Sequence, residues 1–209
     1  MDAVTLADYR ERVARMYLDD TDVAGFRTAR DELFATHPQS PIPADERASF
    51  AGAKYFPESD DARATVAMRR SADAGGLDSN NGLDIESGGE DGVLHYRRVG
   101  ILDTPWGELT LFWLAAYGGG LFLPVRDGTA SKDFDGPRTY GAGRYLTDTV
   151  KGTFGRGVVI EAPDRVRLDF NYAYNPSCAY DDRWACPLAP VENRLAAPIR
   201  AGELAYHPW

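Results

Sequence analysis

Residues 109–116, LTLFWLAA, are apolar at both alternating positions. A strand of that kind is stable only when both of its faces are covered, which places it centrally in a sheet. Its surroundings agree. Thr104-Pro105-Trp106-Gly107 is a tight-turn sequence that reverses the chain from residues 93–102, VLHYRRVGIL, into this strand. After Gly118-Gly119-Gly120 comes LFLPVRD, where Pro124 predicts a bulge or an edge position. Further on, RGVVIEA and RVRLDFNYAYN are joined by Pro163-Asp164, a hairpin signal.

The same texture begins at Ala62. ARATVAMRR reads as a strand, and SADAGGLDSNNG (71–82) reads as a mobile loop. Leu83 and Ile85 alternate briefly before a glycine-rich reversal at 87–92. The first 37 residues are different. Leu6, Tyr9, Val13 and Met16 recur at helical spacing behind a Thr5/Asp8 capping-box start, and Val23, Phe26, Ala29 and Leu33 form a second stripe behind Thr21 or Asp22. His37-Pro38 ends it. Residues 38–61 are proline-punctuated but carry Phe50, Tyr55 and Phe56, so they pack on something. The tail after Asn175 is irregular and proline-rich until a short strand near 197–200.

The fold class is therefore α+β, mostly β: N-terminal helices, then an antiparallel β-barrel or sandwich, with an irregular Pro-rich C-terminal tail. Residues 1–209 form one domain, with 1–37 helical and 62–209 the β-rich body.

Charge narrows the setting. Thirty-two acidic residues against 23 basic ones give a net charge of −9, which supplies no electrostatic footprint for nucleic acid or an anionic membrane. Only three basic residues are lysines, and 22 of the acids are aspartates. Short hydrated carboxylates keep a surface wet at high salt, where a Debye length of roughly 3 Å at 1 M screens their repulsion. This composition predicts a halophile's salt-in cytoplasm; a GC-rich codon bias accounts for the missing lysines but not for the aspartates. No stretch is long and apolar enough to span a membrane, and the N-terminus lacks a secretory layout, so a soluble cytoplasmic protein is expected.

Chemistry is harder to place. Val166, Leu168, Phe170, Tyr172 and Tyr174 alternate on one strand face, so Arg167, Asp169, Asn171 and Asn175 share the other. Asp and Asn are poor strand formers, which suggests that Asp169 and Asn171 line a pocket. Trp184 is a candidate wall. Cys178 and Cys186 are not in C-x-x-C spacing, and none of the three histidines accompanies them, so structural thiols or a staple are the default. Rossmann, P-loop, zincin and nucleophile-elbow motifs are absent, and no metal or cofactor is predicted.

Three runs then carry a resemblance: LFLPVRDGT, TYGAGRYL, and LDFNYAYNPSCAYDDRWACPLAPVENRLAAPIRAGE. With FRTARDELF, SPIP and FAGAKYF upstream, the chain resembles the family catalogued as domain of unknown function 1684. The resemblance implies signature positions at Arg126, Asp127, Thr129, Thr139, Tyr140, Gly143, Arg144 and Tyr145. It implies others at Asp169, Asn171, Tyr174, Asn175, Cys178, Tyr180, Cys186, Pro187, Glu192 and Asn193. The segment between Thr129 and Thr139 and the region 71–92 depart from the pattern and read as surface adaptation.

Three functions follow as expectations. The first is a polar pocket built from 126–145, 167–175 and 178–193 that binds an anionic or polyhydroxylated small molecule. In it Arg126, Asp127, Thr129, Tyr140, Arg144, Asn171, Asn175 and Asn193 contact the ligand, and Asp169 and Glu192 serve hydrolytic or transfer acid–base chemistry. The second is a structural or protein-interaction module, in which the arginines pair with Asp169 and Glu192 and the polar cluster locks the tail. The third is a thiol redox protein using Cys178 and Cys186. A pocket with unpaired charges separates the first from the second.

Overall fold

The computed structural model describes residues 2–70, 82–86 and 92–207. The loop read at 71–82 and the reversal at 87–92 lie almost wholly outside the described residues.

Helix α1 spans Ala3–Leu18 and α2 spans Val23–Thr36. Asp22 caps α2 through the N–H of Gly25, as expected. At α1 the cap is Asp2, not Thr5. Its carboxylate accepts the N–H groups of Val4 and Thr5, while the Thr5 hydroxyl donates to the Asp2 carbonyl. The helix thus begins one turn earlier, with Asp2 satisfying free amides of its first turn and Thr5 inside that turn.

Eight strands follow: β1 Arg63–Arg70, β2 Gly82–Glu86, β3 Val93–Thr104, β4 Gly107–Leu114, β5 Gly120–Val125, β6 Arg144–Asp148, β7 Val158–Ala162 and β8 Arg165–Asp169. All pairings are antiparallel, in the order β6-β5-β4-β3-β1-β8-β7, with β2 added to the far half of β3. The long β3 shifts register between Arg98 and Gly100, passing from its pairing with β2 to its pairing with β1. A second shift at Leu123/Pro124 is the predicted proline bulge. The result is a curled half-barrel.

The run at 109–116 behaves as its pattern demands over Leu109–Phe112; Trp113, Leu114 and Ala115 are half-buried, Ala116 is exposed, and the strand ends at Leu114. Leu109 and Leu111 enter an aliphatic core with Leu102, Leu123, Leu146, Val166 and Leu168, all at most 1% exposed. Phe112 enters a second, aromatic layer with Tyr96, Phe122, Tyr145, Tyr172 and Tyr174, onto which α1 and α2 pack Met16, Tyr17, Phe26 and Leu33. Each such side chain contributes about 1.5–3 kcal/mol by leaving water.

Two elements differ from expectation. The pattern at 165–175 is a strand only to Asp169. That carboxylate accepts the backbone N–H of Asn171, and a 3-10 turn at Phe170–Tyr172 begins. Residues 197–200 form no strand: the N–H and carbonyl of Ile199 bond to the side chains of Asp127 and Arg144 instead of to a ladder. Trp106 lies in the β3–β4 turn, edge-on to Phe170 at 5.0 Å.

Candidate functional site

Most of the signature residues make closed contacts. Asp127, at the end of β5, is 1% exposed. Its Oδ1 accepts the N–H of Thr129 (2.9 Å), the Thr129 hydroxyl (2.6 Å) and the N–H of Ile199 (3.0 Å). Its Oδ2 accepts Arg144 Nη2 at 2.8 Å. Arg144 also donates to the carbonyls of Ile199, Ala201 and Glu203, so one guanidinium pins the tail to β6. Burial raises the Asp127 carboxyl, but the Arg144 charge and the donated bonds outweigh it and hold the group below its ordinary value. Thr129 and Thr139 share a hydroxyl contact of 2.8 Å.

The neighbouring residues follow the same pattern. Asn193 accepts the N–H of Thr110 (2.8 Å) and donates to the carbonyls of Thr110 and Pro124. Glu192 receives two donors from Arg98 and one from the Thr110 hydroxyl. Burial pushes the Glu192 carboxyl up, yet the bonds from Arg98 and Thr110 leave it lowered, the opposite of what a general acid at neutral pH requires. Asp169 is bound by Arg63 at 2.8 Å and by the Asn171 amide at 2.8 Å. Asn171 exchanges two bonds with the backbone of Ser59. Arg126, half-buried, donates to the Gly141 carbonyl. The arginines therefore pair differently from the sequence expectation: Arg144 with Asp127, Arg63 with Asp169 and Arg98 with Glu192.

The expected site residues are spread over three pockets, and all three segments reach the smallest of them, through Tyr145, Asn175 and Tyr180. Tyr140 and Cys178 border an open pocket of about 530 Å³. Asp169 borders another of about 490 Å³ with Arg167 and Arg156. Asn175 borders a cavity of about 60 Å³ between the helices, β6 and the tail. Trp184 lines none of these three.

The small cavity has the most distinctive chemistry. Its wall carries Tyr9 and Tyr17 from α1, Arg30 from α2, Tyr145 from β6, and Tyr174, Asn175 and Tyr180 from the chain after β8, with Lys151 and Thr153 beside them. Arg30, 6% exposed, donates to Glu203 Oε2 at 2.9 Å and to the Tyr180 hydroxyl at 3.1 Å, and stands 4.3 Å over the Phe34 ring. Gly202, at φ 72°, lets the chain turn Glu203 inward; a Cβ there would meet the Ala173 carbonyl at 2.6 Å. Burial raises the Tyr17, Tyr145, Tyr174 and Tyr180 hydroxyls, and pushes Tyr9 up to about 12, so all remain protonated at neutral pH.

Three atoms of residues on this wall lack a hydrogen-bond partner among the described residues: Tyr17 Oη, Arg30 Nε and Asn175 Oδ1. Tyr17 is 3% exposed and Asn175 2%. Asn175 Nδ2 donates to the Leu204 carbonyl at 2.7 Å, which fixes the amide and leaves Oδ1 as the spare acceptor. Sequence reasoning found Asn175 but missed Tyr17, Arg30 and Glu203. Arg30 had one signal, a charge between Phe26 and Leu33 on the apolar side of α2.

Among the described residues no cluster of His, Cys, Asp and Glu could hold a metal ion, and no helix is long and apolar enough to cross a membrane. The family model described as "Protein of unknown function (DUF1684)" matches residues 48–204. Among solved structures, the chain is similar to an uncharacterised protein of Haloarcula marismortui determined by solution NMR. The two share 31% identity over 85% of this chain and 89% of that one, with a TM-score of 0.56. No curated protein matches.

Proposed function

The chain belongs to the DUF1684 family, and we propose that this member binds a small polyhydroxylated molecule in the tyrosine-lined cavity. The observation that carries the reading is the set of three unpartnered buried atoms, Tyr17 Oη, Arg30 Nε and Asn175 Oδ1. Leaving a buried polar group unsatisfied costs about 1–3 kcal/mol, which a ligand group or an ordered water recovers.

The wall chemistry selects the ligand class. Asn175 Oδ1 only accepts and Arg30 Nε only donates; a carboxylate or phosphate serves Nε but offers Oδ1 no donor, while hydroxyls serve both. The two cations near the cavity are already matched, Arg30 by Glu203 and Lys151 by Asp148 at 3.6 Å. A hydroxyl-bearing, uncharged ligand therefore fits better than the anionic alternative. At about 15 Å³ or less per water centre, 60 Å³ admits a few waters or the end of a polyol, not a drug-sized molecule. Binding in a salt-rich cytoplasm belongs to the same proposal and rests on the aspartate-rich, lysine-poor composition.

A second reading has its own support: the ion pairs of Asp127, Asp169 and Glu192 favour a non-enzymatic scaffold for that part of the signature. The two readings concern different residues and are compatible.

The test is a thermal-shift series in high salt with glycerol, erythritol and myo-inositol. Excluded-solute effects raise Tm generally, so Tyr17→Phe and Asn175→Ala serve as references. The reading requires a saturable increment in the native protein that both variants lose. Equal, unsaturated rises in all three proteins would contradict it.

A further inference from the structure

The open pocket beside β8 contains charge that the polyol reading does not use. Its volume of about 490 Å³ falls within the roughly 300–1,000 Å³ of small-molecule sites. Arg156, half-buried on its wall, is fixed by the protein's own backbone. Its Nε donates to the Tyr17 carbonyl at 3.0 Å, in the last turn of α1, and its Nη1 to the Thr21 carbonyl at 2.7 Å, just before α2. Nη1 also reaches the Tyr172 hydroxyl at 3.4 Å. Among the described residues Nη2 has no partner and no carboxylate pairs with this guanidinium. Tyr172, 7% exposed, accepts from Arg156 and makes no other hydrogen bond through its hydroxyl among the described residues, so its proton is left to donate. An arginine held in place by two carbonyls and given no counter-ion is pre-organised for an anion.

Three further charged residues line the pocket, and they are used to different degrees. Asp169 is bonded to Arg63 and Asn171. Arg167 shares one carboxylate, Glu161, with Arg165, at 3.5 and 3.2 Å. Asp20, exposed in the turn between α1 and α2, pairs with nothing among the described residues. An unmatched guanidinium and an unmatched carboxylate therefore border one space without meeting.

We propose that this pocket binds a zwitterionic α-amino acid, its carboxylate on Arg156, Arg167 and Tyr172 and its ammonium on Asp20. A plain anion meets the guanidiniums but lies beside an uncompensated Asp20, and a plain cation has the reverse fault. A molecule with both charges answers both walls. Leu18, 69% exposed at the rim, gives an aliphatic side chain apolar surface to cover. The site is distinct from the tyrosine-lined cavity. The two linings share only Tyr17, whose carbonyl here anchors Arg156.

Isothermal titration of the full chain with L-leucine, N-acetyl-L-leucine and L-leucinamide tests the proposal. The first carries both charges, the second only the carboxylate and the third only the ammonium. L-leucine should bind saturably. L-leucinamide, which forfeits the charge-assisted bonds to Arg156, should bind at least about tenfold more weakly. N-acetyl-L-leucine loses only the exposed contact with Asp20 and should bind about threefold to fivefold more weakly. Asp20→Asn and Arg167→Met, both at exposed positions, should each weaken L-leucine by a similar factor of about three to five. Asn175→Ala should bind L-leucine as the native protein does, so this result stands apart from that of the polyol series. A native chain that shows no saturable L-leucine binding overturns the site, as do Asp20→Asn and Arg167→Met variants that bind it as tightly as the native protein. N-acetyl-L-leucine binding as tightly as L-leucine overturns the zwitterion and makes the pocket a plain anion site.

Discussion

Two buried polar clusters sit against the same half-barrel and are completed differently. Around Asp127, Arg144 and Asn193, each carboxylate and amide oxygen has a donor, and Arg144 is spent on Asp127 and three tail carbonyls. Around Arg30, Tyr17 and Asn175, the charges are matched but a hydroxyl, an amide oxygen and the Arg30 Nε–H are left over at a cavity wall. A complete network can only hold the structure in place. An incomplete one costs stability at rest and retains capacity for another molecule. Burial and residue type are alike in the two clusters, so what separates scaffold from candidate site is whether each donor and acceptor is used.

The largest effect should come from breaking the complete cluster. Arg144→Met leaves Asp127 buried without its counter-charge and should cost about 3–5 kcal/mol in urea unfolding. Asn193→Ala removes three bonds between the tail and β4 and β5, and should cost about 1–3 kcal/mol. If either substitution proves nearly neutral, the scaffold half of the comparison fails.

The incomplete cluster should respond with the opposite sign. Tyr17→Phe deletes an unpartnered hydroxyl and should stabilise the free protein by about 1 kcal/mol while abolishing the polyol increment. A loss of stability would mean that the hydroxyl already has a partner.

The gentlest probe is acid. Asp127 and Glu192 are held below their ordinary values in the folded protein, so their contribution is fully present above the unfolded values of about 4 to 4.5. It is lost as pH falls through the depressed folded values. Urea midpoints should therefore reflect little change from these groups between pH 7 and about 5 and a decline below about 4, a decline that Glu192→Gln should reduce.

Much of the architecture was legible because it is written locally. The two-sided apolar run gave the central strand β4, Pro124 gave the bulge and Asp22 gave the cap of α2. The misreadings also have local causes. Asp2 sits one residue ahead of α1 and caps it, which puts Thr5 inside the first turn. The alternation at 165–175 continues past Asp169 in residue type, but an aspartate that accepts the N–H two residues on converts the strand into a turn. The site was legible only in part. Asn175 stood out as a polar residue in a patterned segment, whereas Arg30 and Glu203 are 173 residues apart and nothing local in either segment announces the other. The cavity exists only once α1, α2 and the tail are packed together.

The most direct test follows side-chain amide resonances by NMR while glycerol, erythritol or myo-inositol is added in high salt. The Asn175 and Asn193 amides report the two clusters within one sample. The account predicts a saturable shift of the Asn175 amide with at least one of these polyols, while the Asn193 amide stays in place. An Asn175 amide that never saturates, or an Asn193 amide that moves with it, would contradict the assignment of one cluster to binding and the other to scaffold.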